Sequence, residues 1–127
     1  MTTPTTPTRL IALDILGYHY DIVWAPHTLI PDRFGHSDLE NQEIVLRSNL
    51  RGMSALDTLF HEYIHAASAI TGVEISETQT HMLGFAMANM FKSNPELIEF
   101  TLDRIQEEYA KNYQQHSRNT RKNRKGK

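Results

Sequence analysis

The sequence is 127 residues long, the size of one domain, and its 39% hydrophobic and 22% charged residues are typical of a globular protein. It contains no cysteine, which excludes disulfides and restricts any metal site to His, Asp and Glu ligands. No apolar run reaches the roughly 20 residues that a membrane-spanning helix requires. The N-terminal segment lacks the apolar core of a signal peptide, so we expect a cytoplasmic protein without a membrane partner.

The net charge of −2 hides an uneven distribution along the chain. Residues 1–110 carry all 15 acidic residues and 6 of the 13 basic ones, a net charge of −9. Residues 111–127 carry seven basic residues and no acidic residue. An acidic body of this kind excludes a general nucleic-acid-binding composition. The basic tail either keeps the protein soluble or contacts an anionic partner.

The first half of the chain predicts a small sheet. Residues 1–8 are mostly Thr and Pro, and we predict that they are disordered. Residues 10–16 are largely apolar, residues 18–24 alternate in the two-residue period of a half-buried strand, and residues 43–47 are rich in β-branched residues. The polar stretch 32–42 is predicted to be mainly loop. The sequence therefore predicts about three strands.

The second half has helical periodicity. Ser54 is the predicted N-cap of a first helix of about four to five turns, which should end at Gly72. Ser76, with Gln79 three residues later, predicts the start of a second helix. Asn94 and Pro95 predict the start of a third. From residue 116 the chain is polar and basic, and we predict a disordered tail over 116–127. The fold class is therefore α+β, with one domain over residues 9–115.

The most informative motif is His-Glu-x-x-His, formed by His61, Glu62 and His65 in the first predicted helix. Histidines four residues apart lie on one helical face, close enough to bind the same ion, and imidazole nitrogens suit zinc. Glu62 can reach a water molecule on that ion and act as its general base. Random placement would give the motif in roughly 3 of 100 shuffled chains. The alternative is a solvated helix face that happens to carry two histidines.

A catalytic zinc site requires a third protein ligand, and three downstream residues are candidates. Glu77 and His81 lie four residues apart on one face of the second predicted helix. The pair resembles the Glu-x-x-x-(Asp/Asn) arrangement of glutamate-type zinc peptidases, and this resemblance implies Glu77 as the ligand and His81 as a supporting residue. Helix geometry favours His81 instead. The first helix continues about five residues past His65, so an antiparallel second helix must run back a similar distance before a side chain faces the ion. Glu74, in the connector, is a third candidate.

Over roughly residues 10–97 the sequence resembles small zincin metallopeptidases of phages and prophages, and more distantly ImmA/IrrE-type peptidases. The residues that carry the resemblance lie in segments 17–23, 42–46, 58–66, 75–79 and 94–97. It implies a zincin-like domain with one Zn²⁺ per chain on His61, His65 and Glu77, and with Glu62 as catalytic base. It also implies that strand 43–47 is an edge strand beside the cleft, where an extended peptide substrate could add as a further strand.

These observations predict a zinc-dependent metallopeptidase that hydrolyses peptide bonds with metal-activated water, located in the host cytoplasm if it is encoded by a phage. Two alternatives remain open. The domain could be a catalytically silent zinc-binding module that binds a protein partner on a peptidase-like scaffold. It could also be a zinc hydrolase of a non-peptide bond, because the motif activates water without choosing the electrophile.

Overall fold

The computed structural model describes residues 9–125, and side chains over residues 9–120. Within these residues the chain forms four strands and then three helices. Residues 1–8, predicted to be disordered, lie outside the described part. The bounds are β1 Ala12–Ile15, β2 Tyr18–Ala25, β3 Gly35–Asp38, β4 Glu43–Arg47, α1 Gly52–Thr71, α2 Glu77–Ser93 and α3 Pro95–Lys125. The predicted α+β class is confirmed.

The four strands form one mixed sheet in the order β1-β2-β4-β3. β2 runs antiparallel to β1 and parallel to β4, and β3 pairs antiparallel with β4. The predicted count of three strands is wrong, because β3 was assigned to a loop. Its sequence, Gly35-His36-Ser37-Asp38, contains no β-branched or apolar residue. Such a segment becomes a strand through its pairing with β4 and not through its own propensity.

β4 is an interior strand, paired with β2 on one side and β3 on the other. The prediction that strand 43–47 is an edge strand beside the cleft is therefore wrong. Ile44, Val45 and Leu46 are all buried, so both faces of β4 are covered, which agrees with its continuous apolar sequence. The outer strand on this side of the sheet is β3.

α1 covers one face of the sheet and completes the main core. The buried residues of this core come from β1, β2, β4, the connection before α1 and α1 itself, namely Ile15, Tyr20, Ile22, Ile44, Leu46, Leu50 and Ala66. A smaller cluster of Ala25, Ile30 and Val45 lies apart from it. Since side chains alternate along a strand, Ile44 and Leu46 face the helix whereas Val45 faces away from it.

The ends of the helices test the capping predictions. Gly72 ends α1 in the left-handed conformation at φ 73°, and its N–H donates to the Ser68 carbonyl, as predicted. The N-cap of α1 is Arg51 and not Ser54, so the helix begins two residues before the predicted cap. Arg51 is extended and makes no side-chain capping bond, which is why no N-cap signal marks this start in the sequence.

α3 continues through residue 125, whereas a disordered tail was predicted from residue 116. Lys, Arg and Gln are good helix formers, and neither Gly nor Pro interrupts the sequence between residues 96 and 125. Residues 126–127 lie outside the described part. The chain divides into two compact units, Met1–Asn89 and Met90–Lys127. One domain over residues 9–115 stays a prediction. No helix among the described residues is both long and apolar enough to cross a membrane.

Candidate metal centre

The two histidines of the His-Glu-x-x-His motif lie side by side on α1. The ring centroids of His61 and His65 are 4.8 Å apart, and their Nε2 atoms are 3.1 Å apart. This geometry follows from the four-residue spacing, which places the two side chains on successive turns of one helical face. The two Nε2 atoms therefore converge on one point, as the sequence predicted.

Glu77, the first residue of α2, brings a carboxylate to the same point. Its Oε1 lies 2.8 Å from His61 Nε2, and its Oε2 lies 3.0 Å from His65 Nε2. The predicted capping box is present: the Ser76 N–H donates to Gln79 Oε1 at 2.9 Å, and the Gln79 N–H donates to Ser76 Oγ at 3.1 Å. Because this box fixes the helix start, Glu77 lies in the first turn, where the helix dipole favours a negative charge.

Small residues allow α2 to approach α1 at the level of the site. Gly84 is buried, and a Cβ atom at this position would lie 3.3 Å from His61 N and 3.7 Å from the Asp57 carbonyl oxygen. Thr80, one turn earlier, is also fully buried. This close contact places the start of α2, with Glu77, beside the two imidazoles.

The three side chains are suited to hold one metal ion. The group His61, His65 and Glu77 offers ligand atoms that all lie within 4.8 Å of one another. Ligands at about 2.05 Å around a tetrahedral zinc ion are separated by about 3.3 Å, which is close to the distances between these atoms. The His61 and His65 side chains are 20% and 33% exposed, and Glu77 is 70% exposed, so an ion has access from solvent.

The other two candidates for the third ligand do not join this group. His81 lies one turn after Glu77, and its ring centroid is 6.3 Å from that of His61. It lines the same cleft as His61, His65 and Glu77 but lies beside the group of ligand atoms and not within it. Glu74 is exposed in the connector before α2 and is not among the clustered ligand atoms. The structure thus brings Glu77, and not His81 or Glu74, to the histidine pair.

Glu62 differs from its neighbours because it lies on the side of α1 that faces the sheet. The residue is only 7% exposed. The Ser37 hydroxyl of β3 donates to Glu62 Oε2 at 2.7 Å, and Ser37 Oγ also lies 3.0 Å from the backbone carbonyl oxygen of Glu62. A carboxylate at this depth requires a hydrogen-bond partner, and Ser37 provides one.

The position of Ser37 depends on the close packing of β3. Ser37 pairs with Ile44, and cross-strand partners point to the same face, so Ser37 faces α1 as Ile44 does. Two residues earlier, a Cβ atom on Gly35 would lie 2.7 Å from the Val45 carbonyl oxygen and 3.0 Å from Thr58 Cγ2. A larger residue at this position would have to push β3 away from β4 or from α1, so only glycine fits here.

The turn that follows β3 is held by an acidic side chain. Asp38 accepts hydrogen bonds from the backbone N–H of Asn41 at 3.1 Å and from its side-chain amide at 2.8 Å. These bonds, the backbone one first, lower the pKa of Asp38 below its ordinary value because they stabilise the carboxylate. The connection from β3 to β4 is thereby ordered beside the cleft.

The candidate metal ligands and Glu62 line a single cleft of about 710 Å³. One wall is formed by the segment that includes β3, and the other by α1 and the start of α2. The complete lining is Arg33, Phe34, Gly35, His36, Ser37, Leu39, Asp57, Thr58, His61, Glu62, His65, Glu77 and His81. A cleft of this size can accept several residues of an extended chain or a small organic molecule.

Sequence analysis did not identify Ser37 or the apolar rim residues Phe34 and Leu39 as part of the site. Ser37 lies in a polar segment without periodicity, so no sequence signal reveals its contact with Glu62.

Comparison with family models gives no match for this chain, and comparisons with curated proteins and with solved structures give none either.

Proposed function

We propose that this protein is a zinc-dependent metallopeptidase of the zincin type. The observation that carries the proposal is the convergence of His61, His65 and Glu77 on one point, in the same cleft as the buried carboxylate Glu62. Two imidazoles and one carboxylate form a known ligand set of catalytic zinc sites, and they leave a coordination position open.

The residues have distinct roles in this proposal. His61, His65 and Glu77 hold the ion, which when bound supplies Lewis acidity towards a carbonyl oxygen and lowers the pKa of water. Glu62 takes a proton from the attacking water and later delivers it to the leaving amine. His81, at the cleft wall near His61, is available to donate a hydrogen bond to the developing oxyanion.

Ser37 can support Glu62 in both of its protonation states. When Glu62 is a carboxylate, the Ser37 hydroxyl donates to Oε2. When Oε2 is protonated, its O–H can donate a hydrogen bond to Ser37 Oγ, and the Ser37 hydroxyl can turn to donate to the Glu62 backbone carbonyl 3.0 Å away. Glu62 therefore keeps one orientation while it gains and loses a proton.

Because β3 and not β4 is the edge strand, the peptide substrate is proposed to bind along β3. β3 is the last strand in the sheet order, and its residues 35–37 line the cleft. An extended peptide can add to the outer edge of such a strand through main-chain hydrogen bonds. We propose that the substrate is an unstructured peptide segment laid along β3, so that a carbonyl reaches the metal. Cytoplasmic location and a phage origin stay predictions of the sequence.

The test compares the zinc-loaded protein with its Glu62→Gln variant on a library of peptides from a digested proteome, with cleavage sites identified by mass spectrometry. We expect cleavage by the wild type, a loss of at least about a thousandfold in Glu62→Gln, and equal zinc content in both. Glu74→Gln is the matched control, because Glu74 is exposed and outside the metal group. It should retain both zinc and activity.

Two results would contradict this proposal. Equal cleavage by the wild type and Glu62→Gln would exclude Glu62 as the base. A zinc-loaded wild type that cleaves no peptide in the library would instead favour the catalytically silent binding module. If the wild type cleaves no peptide but does cleave non-peptide esters or amides tested in parallel, the zinc hydrolase of a non-peptide bond is favoured over the binding module.

A further inference from the structure

Asp57 is an acidic residue of the cleft that has no role in the proposed mechanism. It lies on α1 one turn before His61, so Asp57, His61 and His65 share one face of the helix. The residue is half-buried. Among residues 9–120, whose side chains the structure describes, no hydrogen bond or ion pair reaches its carboxylate. The carboxylate is therefore available to a cationic ligand in the cleft.

The outer edge of β3 determines where a bound peptide lies. The Arg47 N–H donates to the Phe34 carbonyl at 2.9 Å, and these two residues continue the register in which β3 pairs with β4. Hydrogen-bonded pairs alternate with non-hydrogen-bonded pairs along an antiparallel ladder. The main-chain groups of Gly35 and Ser37 therefore point away from β4, where an added strand can pair with them.

Asp57 lies at the end of the cleft where β3 begins. A Cβ atom on Gly35 would lie 3.0 Å from Thr58 Cγ2, so Gly35 is beside the turn of α1 that carries Asp57. The four residues from Asp57 to His61 advance about 6 Å along the helix. An extended peptide advances about 3.3 Å per residue. Asp57 therefore faces a substrate position about two residues from the carbonyl at the metal group.

The charges around Asp57 favour a cationic group at this position. Arg33 also lines the cleft, but its Nε lies 3.6 Å from Asp32 Oδ1, so the charge of Arg33 is paired with its own neighbour. Residues 1–110 carry a net charge of −9, which attracts cationic peptides to this part of the chain.

We propose that Asp57 is a specificity-determining residue that binds a Lys or Arg side chain of the peptide substrate. This inference rests on the proposed peptidase function, because it takes the metal group as the position of the cleaved bond. Asp57 has no competing partner among the described side chains, so an ion pair with it favours a basic residue over a neutral one of similar length. The substrate class is then an unstructured peptide with a basic residue about two positions from the cleaved bond.

The test measures binding and does not require cleavage. The probes are peptide hydroxamates without a free amino terminus, whose hydroxamate binds the zinc ion of the loaded protein. They carry Lys or neutral norleucine two residues from the hydroxamate, in two series that extend to either side of it. In one series we expect the Lys probe to bind about tenfold more tightly in isothermal titration calorimetry.

Two variants test whether Asp57 causes this preference. Asp57→Asn removes the charge with little change in size, so it should abolish the preference for Lys and leave norleucine binding unchanged. Asp21→Asn is the matched control, because Asp21 is an exposed aspartate of β2 outside the cleft lining. It should retain the full preference.

Equal affinity of the Lys and norleucine probes in both series would overturn the role of Asp57. A Lys preference that survives Asp57→Asn would overturn it as well. A norleucine probe with a free amino terminus tests the other source of a cationic group, and an Asp57-dependent gain for this probe alone would overturn selection of a basic side chain.

The same probes separate this inference from the proposed function. An Asp57-dependent Lys preference without cleavage of any peptide would contradict the peptidase and support the cation-binding role of Asp57. Cleavage of peptides without any preference for basic residues would support the peptidase and overturn the role of Asp57. Absence of binding by every probe to the zinc-loaded protein would overturn both.

Discussion

The hydrogen bond between Ser37 and Glu62 gives the sharpest prediction about stability. Ser37→Ala removes the donor that lies 2.7 Å from a carboxyl oxygen whose residue is only 7% exposed. Hydrogen bonds to charged groups contribute about 1.5–3 kcal/mol, and a buried acceptor left without a partner is costly. We therefore expect Ser37→Ala to lower the free energy of unfolding by about 1.5–3 kcal/mol.

The assay is urea unfolding of metal-free protein, followed by circular dichroism, so that metal binding does not contribute to the measured stability. Ser68→Ala is the control, because it removes an exposed bond from a serine hydroxyl to the neutral Val73 carbonyl. It should cost about 0.5–1.5 kcal/mol or less.

A double-mutant cycle isolates the contact between the two side chains. In the Glu62→Gln background the bond from Ser37 reaches a neutral acceptor, so Ser37→Ala should cost about 1 kcal/mol less than in the wild type. Additive effects within about 0.5 kcal/mol would show that Ser37 does not stabilise the Glu62 carboxylate, and would refute this part of the account.

Three further substitutions test how the cleft is built. Gly35→Ala should destabilise the protein by about 1–3 kcal/mol in urea unfolding, because its Cβ would lie 2.7 Å from a carbonyl oxygen of β4. Gly84→Ala should weaken zinc binding by about tenfold in a chelator competition, because its Cβ, 3.3 Å from His61 N, pushes α2 and its metal ligand outward. Unchanged affinity would contradict this account of helix packing. Asn41→Ala should raise the pKa of Asp38 in an NMR titration, yet leave it below its ordinary value, because the larger contribution comes from the backbone N–H that alanine retains.

Much of the site could be predicted from the sequence because local rules determine it. The pairing of His61 and His65 follows from helical periodicity, and the start of α2 follows from the capping box at Ser76 and Gln79. Glu77 was one of three candidates. The geometric argument for His81 did not allow for the close approach at Gly84, which brings the very start of α2 beside the histidines.

The features that could not be predicted depend on contacts between distant segments. β3 contains no strand-forming residues, and it is a strand because β4 pairs with it and because Gly35 lets it lie against α1. The edge position of strand 43–47 was taken from the family resemblance, and without β3 no predicted strand stood on that side of it. Ser37 had no assigned role for the same reason. The end of α3 was missed for a different reason, since a polar and basic composition suits both a disordered tail and an exposed helix.

The most direct test of the central claim is the zinc content of purified protein after zinc loading and removal of free metal, measured by elemental analysis. We predict one zinc per chain in the wild type and in His81→Gln, and loss of stable zinc binding in Glu77→Gln. Absence of zinc from the loaded wild type, or retention by Glu77→Gln with loss from His81→Gln, would contradict the metal centre described for His61, His65 and Glu77.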